Sequence, residues 1–344
     1  MFQYIIRRLL AMIPTLFGVT IVVFFIINLA PGSPVEQKIQ QLKFGGMGEA
    51  SVGVDAGNDK DNAVSEEVIE ALKKQYGFDK PVHIRYVIWL KNLMVLDFGE
   101  SFTYEEPTLD VIISKMPVSL QFGIVSLILT YIVCIPLGVF KAIKNGSKFD
   151  VSSSFILSAM YAVPGFMLGI VLIVFFAGGA FIEWFPVGEL YSDQYDELTT
   201  WGKILDRIHH FILPLICYMI SSFTVLTILM KNSILDVISR DYIRTARAKG
   251  LSEKVVYLKH ALRNALIPIV TGIGNFLTVF FAGSLLIELI FQLDGMGLLG
   301  YQAVLERDYN VIMGLIFIQS VLMLLGNLIS DIAYIIVDPR IDFS

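Results

Sequence analysis

The sequence predicts an all-α integral membrane protein with six transmembrane helices and a small helical insert on the outer side. Its 344 residues are 55% hydrophobic and only 17% charged, whereas soluble domains carry roughly 25% charged residues. Six apolar stretches each approach or exceed the about 20 residues that a helix needs to cross the hydrocarbon core. A net charge of −5 argues against a nucleic-acid partner.

The six predicted spans contain almost no formal charge; Glu288 and Asp331 are the exceptions. They run Leu9 to Ala30, Val118 to Phe140, Phe155 to Phe181, His210 to Met230, Ala265 to Ile290 and Val311 to Val337. We expect the first to be retained as a span, because its apolar run exceeds the roughly 7–15 residues of a signal peptide. Pro164-Gly165 predicts a kink in the third. Cys134 and Cys217 are expected to be buried, unpaired thiols.

Positive charge sets the predicted orientation. Arg7 and Arg8 precede the first span, three lysines lie in the turn at 141–148, and the loop 231–264 carries eight Lys and Arg against three acids. The positive-inside rule predicts that both termini are cytoplasmic. The predicted domains are 1–30 (first transmembrane helix), 31–117 (periplasmic segment), 118–337 (five-helix core containing the loop 231–264) and 338–344 (cytoplasmic tail).

The predicted periplasmic segment begins with a Gly- and Asp-rich stretch, Gly45 to Asn62, which is typical of a mobile loop. Two short helices follow. Ser65 is the expected N-cap of the first, and Pro81 opens the second, with Ile84, Ile88 and Trp89 available for burial. Two interpretations stay open, a cap that packs on the spans and a dock for a soluble partner.

The basic inner loop predicts two short helices joined by a glycine turn. The first covers Asp241 to Lys249, and Gly250 suits the position after a helix where left-handed backbone is required. Ser252 is the expected N-cap of the second, whose first turn carries Glu253. Its predicted apolar stripe, which leads toward the fifth span, consists of Val255, Leu258 and Leu262.

The chain lacks the motifs of an enzyme. No G-x-x-x-x-G-K-[ST] loop is present, so no ATPase is predicted in this chain. Gly295 to Gly300 matches G-x-G-x-x-G, but it follows an apolar span and lacks the strand that dinucleotide binding requires. The four histidines have no ligand-like spacing to carboxylates or cysteines, so no metal site is predicted.

Several segments resemble the ABC importer permeases of the peptide and nickel branch. The segment Tyr242-Ile-Arg-Thr-Ala-Arg-Ala-Lys-Gly250-Leu-Ser-Glu253, followed by His260 to Pro268, resembles their cytoplasmic EAA motif. Further similar segments are Ala30 to Pro34, Tyr76 to Pro81, Asp97 to Ser101, Pro117 to Ser119, Gly295 to Gly297, Arg307 to Tyr309 and Asp338 to Arg340. The long outer insert and the turn 145–150 are most similar to permeases of microcin C and oligopeptide importers.

This resemblance implies a type I ABC importer permease fold, a location in the inner membrane of a bacterium, and a set of partners. They are a second homologous permease subunit, two ATPase domains or one tandem ATPase chain, a periplasmic or extracellular substrate-binding protein, and membrane lipid. ATP and Mg would be bound by the ATPase subunits, and no cofactor by this chain. Peptides or peptide-like compounds of the microcin C type are the implied cargo; relatives that carry nickel chelates, opines or sugars leave those alternatives open.

The resemblance also assigns a coupling helix to the inner loop. The residues expected to contact the ATPase are Tyr242, Arg244, Thr245, Ala246, Lys249, Gly250, Leu251, Ser252 and Glu253. The chain departs from the broad motif, because Arg244 occupies the glutamate position and Thr245 that of the first alanine. A salt bridge from that glutamate is therefore not implied, whereas Ala246 and Gly250 match.

Candidate pathway residues are small or conformationally special positions within the spans. They are Pro164, Gly272, Asn275, Phe280 and Ser284, although ordinary tight packing would explain them equally well. Two rival hypotheses remain. One is a membrane anchor or receptor that binds a partner through the basic loop. The other is a proton-coupled secondary transporter, which would have to use Glu288 and Asp331, although Asp331 could instead pair with an arginine or bind backbone.

Overall fold

The computed structural model describes residues 2–30, 32–45, 66–75, 77–179, 181–272 and 283–337. Its helices are α1 Phe2–Leu29, α2 Pro34–Gly45, α3 Glu66–Gln75, α4 Val82–Leu93, α5 Thr108–Ile143, α6 Lys148–Ala162, α7 Gly165–Phe176, α8 Thr200–Ile238, α9 Asp241–Ala248, α10 Glu253–Val255, α11 Leu262–Ala265, α12 Ile267–Thr271, α13 Leu285–Ile290, α14 Met296–Leu305 and α15 Tyr309–Val337. A 3₁₀ turn covers Tyr195–Glu197 and a π-helical turn Val256–Ala261. Over these ranges the β structure is one isolated bridge, Glu100 to Pro107, so the described chain is helical as predicted.

Four helices are long and apolar enough to cross a membrane, over Gln3–Leu29, Thr108–Ile143, Thr200–Ile238 and Tyr309–Ala333. They correspond to the first, second, fourth and sixth predicted spans. The third is a broken pair, α6 and α7, bent by 95° at the predicted Pro164 kink, and counting it as one span gives five. Residues 273–282 of the predicted fifth span lie outside the described residues.

The chain forms two compact units. The first comprises residues 1–9, 115–298 and 321–344, and the second residues 10–114 and 299–320. In the first unit, Met230 and Ile234 of α8 pack with Cys134 of α5 and with the inner loop. Cys134 and Cys217 are free, buried thiols, as expected.

The second unit is built on an aromatic core of Phe24, Tyr86, Trp89 and Phe98, with Met313. The two predicted short helices are present as α3 and α4, and α4 packs along α1. The predicted N-cap Ser65, and residues 46–62 of the stretch predicted to be mobile, lie outside the described residues; Gly45 ends α2.

Helix α4 buries a different face from the predicted one. Tyr86 and Trp89 are buried, whereas Ile84 and Ile88 are 41% and 39% exposed. Tyr86 and Trp89 are three residues apart and therefore share one side of the helix, and that side faces the ring of Phe24. The prediction that Ile84 and Ile88 are buried was wrong.

Two of the resembling segments meet in the second unit. Asp308 is buried and accepts hydrogen bonds from Ser101 Oγ at 2.5 Å and from the Thr103 N–H at 3.1 Å. It also accepts one from the Val311 N–H, within the first turn of α15. Asn310 donates its side-chain amide to the Glu100 carbonyl. These contacts hold the segment Asp97 to Ser101 against the chain around Asp308.

Candidate functional site

The inner loop contains the predicted helix, glycine turn and second helix start. Helix α9 ends at Ala248, and Gly250 has φ +79°. The Gly250 N–H donates to the Arg247 carbonyl at 2.9 Å and the Leu251 N–H to the Ala246 carbonyl at 3.4 Å. These bonds satisfy carbonyl groups that a helix end leaves free. A Cβ at position 250 would meet no atom within 4 Å, so glycine is required here by the backbone conformation and not by packing.

The coupling residues divide into an exposed surface and a buried anchor. Eight of the nine predicted contact residues are exposed, and Ala246 is buried. Ile243, which the sequence interpretation missed, is fully buried beside Ala246 in the cluster that contains Met230 and Ile234 of α8. The signal that could have found it is the i, i+3 spacing of Ile243 and Ala246 in an otherwise polar helix. The loop is therefore fixed to α8 while its polar face stays open.

The predicted apolar stripe of the second helix was wrong for Val255 and Leu258, which are 36% and 49% exposed, whereas Leu262 packs against the buried cluster. Val256, Ala261 and Ala265 are the buried positions. Val256 and Ala261 are five residues apart and both point inward because a π-helical turn covers Val256–Ala261 and each turn of a π-helix takes up an extra residue. Ser252 does occupy the N-cap position of α10, but its side chain makes no capping hydrogen bond.

An ion pair closes the turn around Gly250. Arg247 donates from Nε to Glu253 Oε1 at 2.8 Å and from Nη2 to Glu253 Oε2 at 3.1 Å. This two-point contact raises the pKa of Arg247 above its ordinary value. Arg244 pairs with Asp241 on its own helix, and the Tyr242 hydroxyl accepts a hydrogen bond from Asn264. The pairing holds the two helices of the loop at a fixed separation.

The pathway candidates are only partly covered by the described residues. Pro164 is the N-cap of α7, at the 95° bend. Gly272 is the C-cap of α12, and Ser284 is the N-cap of α13. Asn275 and Phe280 lie outside the described residues. A lining role for these positions stays a prediction.

A carboxyl group that the sequence interpretation left without a role organises the region around Ser284. Glu288 is fully buried and accepts hydrogen bonds from Ser119 Oγ at 2.9 Å, Tyr218 Oη at 3.2 Å, and the N–H groups of Ser284 and Leu298 at 3.1 and 2.8 Å. Its two oxygens therefore join α5, α8, α13 and α14.

Two glycines make this arrangement possible. A Cβ at Gly295 would lie 2.6 Å from Glu288 Cδ, and one at Gly297 would lie 2.6 Å from the Leu285 nitrogen. Any larger residue would collide with the carboxyl group or with the backbone that surrounds it. The G-x-G spacing at this place thus serves close backbone approach to an internal side chain, consistent with the exclusion of dinucleotide binding.

We expect Glu288→Gln to lower the thermal unfolding midpoint of the detergent-solubilised protein. An amide offers one acceptor atom in place of two, so at least one buried donor loses its partner, at a cost of about 1–3 kcal/mol. Glu197→Gln is the matched control, since Glu197 is exposed. Equal midpoints for the two variants would contradict this role of Glu288.

The second carboxylate within the predicted spans is paired. Asp331 Oδ2 lies 2.9 Å from Arg8 Nη2 and accepts a hydrogen bond from Tyr4 Oη at 2.8 Å. The contact joins the first and last long helices within the first unit. The expected arginine pairing is confirmed.

A buried charge cluster that the sequence interpretation missed lies where α5 turns into α6. Lys141 is fully buried and lies 3.1 Å from Asp150 Oδ1. Lys231 of α8 lies 2.7 Å from Asp150 Oδ2. Lys141 also donates to Ser153 and Ser154. Lys141, which the sequence interpretation used only as an orientation signal, is therefore part of a buried contact. Through Asp150 this contact joins the turn at 141–148 to α8.

The described residues contain no group of three or more His, Cys, Asp or Glu side chains placed to hold a metal ion. The arrangement offers an exposed polar surface on the loop 231–264 and buried polar contacts between helices. The exposed surface suits the binding of a partner, and the buried contacts suit the transmission of movement from one helix to another.

Comparisons with known proteins match this arrangement over nearly the whole chain. The family model described as "binding-protein-dependent transport system inner membrane component" matches residues 134–343. The chain is 45% identical to the peptidoglycan transport system permease protein YejB of Agrobacterium fabrum, covering 99% of this chain and 98% of that protein. It is 44% identical to the inner membrane ABC transporter permease protein YejB of Escherichia coli O157:H7, with the same coverage. It is 38% identical to the oligopeptide transport system permease protein AppB of Bacillus subtilis, over the full length of both chains.

Proposed function

Because the chain belongs to the binding-protein-dependent transport system inner membrane component family, we propose that it forms half of the translocation pathway of an ATP-driven importer of peptides or peptide-like compounds. The chain is an ABC importer permease and is a non-catalytic membrane subunit, as its relatives are. ATP and Mg are accordingly assigned to partner subunits.

The observation that carries the coupling mechanism is the exposed, anchored turn around Gly250. The polar face of α9 and the turn dock on an ATPase subunit, and closure of the ATP-bound ATPase pair displaces that surface. Ile243 and Ala246 are packed against α8, so the displacement is passed to the long helix and not absorbed by a flexible loop. Because Arg244 replaces the motif glutamate and pairs with Asp241 on its own helix, no salt bridge from this position to the ATPase is proposed.

The proposed assembly contains a second homologous permease, two ATPase domains on one or two chains, and a substrate-binding protein outside. Six spans, with both termini in the cytoplasm, place the basic loop on the ATPase side. The four long helices and the bent pair correspond to five of these spans; the remaining proposed span, 265–290, includes residues 273–282, which lie outside the described residues.

Peptide-containing cargo is supported by the names of the relatives, which refer to peptidoglycan and oligopeptide transport. Within that class we propose oligopeptide-like compounds of the microcin C type. Each intramembrane carboxyl group is already engaged, Asp331 with Arg8 and Glu288 with four donors. Both groups therefore already have structural partners, which disfavours proton-coupled transport.

We expect proteoliposomes that contain the full complex to hydrolyse ATP several-fold faster when the binding protein and a peptide are both present. Peptide uptake should require ATP. Uptake by this chain alone under a pH gradient would overturn the proposal in favour of a secondary transporter. Stimulation by a nickel chelate or a sugar, with none by peptides, would keep the coupling mechanism but reject the proposed cargo.

A further inference from the structure

A cavity in the second unit is lined by cations, amides and aromatic rings. Arg85 and Trp89 come from α4 and Asn28 from the end of α1. Phe78, Lys80, Asn92, Asp97, Phe98, Tyr309 and Asn310 complete much of the lining. Three of the segments that resemble peptide permeases, Tyr76 to Pro81, Asp97 to Ser101 and Arg307 to Tyr309, contribute to it, and none of these contributions is explained by ATPase coupling.

Two side chains that line the cavity each carry a buried hydrogen-bond donor that lacks an acceptor. Arg85 stacks over the Phe78 ring at 4.3 Å and donates from Nη2 to Asn28 Oδ1. Its Nε, and Nε1 of Trp89, which is only 8% exposed, have no hydrogen-bond partner among the described residues. No ion pair recorded in the described part of the chain includes Arg85, and burial lowers its pKa. Both free groups are donors only, so a ligand must supply acceptor oxygens.

The position of the cavity along α1 indicates the source of those oxygens. Asn28 lies one residue before the end of α1, at the boundary of the predicted span Leu9 to Ala30. With a rise of about 1.5 Å per residue, the Arg85 guanidinium lies within a few ångströms of the edge of the hydrocarbon core. Phospholipid phosphates lie just outside that edge, where Trp and Arg side chains are commonly found.

The outer face of α4 is suited to lipid chains. Tyr86 fixes α4 to the middle of α1 through a 3.0 Å contact with Thr20. On the opposite side Ile84, Val87 and Ile88 are 41%, 62% and 39% exposed, and Ile88 also lines the cavity. An apolar face at this depth is stabilised by hydrocarbon and not by water.

We propose that this cavity binds the headgroup phosphate of a membrane phospholipid, with Arg85 and Trp89 as donors and the acyl chains along Val87 and Ile88. Lys80 provides a second positive charge at the rim. The phosphate neutralises a half-buried guanidinium, and the acyl chains cover the exposed side of α4. This site is independent of which solute the importer carries.

The test measures phosphatidylglycerol binding to the full chain, purified and delipidated in detergent, by native mass spectrometry. We expect Arg85→Gln to weaken binding about tenfold, because a charge-assisted hydrogen bond is lost. Lys91→Gln is the matched control, since Lys91 lies on the same helix, is exposed and does not line the cavity. It should bind as the unchanged protein does.

Trp89→Phe removes the N–H group and leaves a smaller aromatic ring in the core of the second unit. A smaller loss of affinity than that of Arg85→Gln, measured well below the thermal midpoint of each variant, separates the site from a general effect on folding. Diacylglycerol with the same chains, which lacks the phosphate, should bind at least tenfold more weakly than phosphatidylglycerol.

Three results would overturn the proposal. They are equal affinities for Arg85→Gln and Lys91→Gln, glycerol 3-phosphate binding as tightly as the lipid, and displacement of the lipid by a short peptide. The second would indicate a soluble anion site, and the third a substrate carboxylate site.

Discussion

Gly250→Val is expected to abolish substrate-stimulated ATP hydrolysis in the assembled importer while membrane insertion stays normal. The backbone at this position has φ +79°, a region that a β-branched residue can occupy only at a cost of about 1–2 kcal/mol or more. The valine would either distort the turn or project from it into the docked ATPase. Both effects would remove the proposed contact through which an ATPase subunit would move α8. The measurement is ATP hydrolysis with and without loaded binding protein.

Gly146 provides an unusually close control. It too has a positive φ, +76°, and a Cβ there would meet no atom within 4 Å. It lies in the other predicted cytoplasmic turn, so Gly146→Val imposes similar backbone strain outside the coupling loop. We expect stimulation to survive in that variant. If both valine variants lose stimulation equally, or if Gly250→Val retains it, the coupling role of Gly250 is rejected.

Gly250→Asn separates the two ways in which valine can act. Asparagine tolerates left-handed backbone better than other residues with a side chain. Retained stimulation in this variant would show that backbone conformation matters most. Loss of stimulation would show that the ATPase needs the space directly beside the turn.

Asp150→Ala is expected to give the largest loss of stability, about 3–5 kcal/mol. The substitution leaves Lys141, which is fully buried, and Lys231, which is mostly buried, without the carboxylate between them. Serine hydroxyls and a backbone carbonyl still accept from Lys141, but they do not neutralise its charge. The thermal unfolding midpoint of the solubilised protein should fall sharply, and expression in the membrane should fall with it.

The double variant Lys141→Met, Asp150→Ala tests whether the uncompensated charge is the cause. Methionine fills similar volume without charge, so we expect it to recover much of the lost stability. Asp196→Ala is the surface control, because the Asp196 side chain is 99% exposed although it pairs with Lys203, and exposed pairs contribute roughly 0–1 kcal/mol. A midpoint for Asp150→Ala equal to that of the surface control would contradict the assignment.

The features that sequence reasoning predicted are those set by local chemistry. Long apolar runs identified the spans because lipid leaves a helix no alternative for its backbone polar groups. Gly250 was identified because left-handed backbone after a helix has a strong residue preference. Hydropathy underestimated the lengths of α5 and α8, whose polar ends extend beyond the apolar runs.

The features that it missed depend on contacts between residues far apart in the chain. Lys141 and Lys231 are 90 positions apart, and nothing in either neighbourhood indicates that one carboxylate binds both. The predicted stripe assumed uniform α-helical spacing, and the π-helical turn at 256–261 interrupts that spacing. Glu288 was recognised as unusual, but two of its four donors, Ser119 and Tyr218, come from distant helices.

The glycines around Glu288 have a consequence for how nucleotide-binding patterns are recognised in membrane proteins. Glycine repeats near the start of a helix allow main-chain amides to surround the oxygens of a ligand, and in many proteins that ligand is a nucleotide phosphate. In this protein the oxygens belong to Glu288, a side chain of the same chain. Glycine spacing of this kind therefore shows where the backbone closes around oxygen atoms. It does not by itself show whether those oxygens belong to a bound ligand or to a side chain of the same protein.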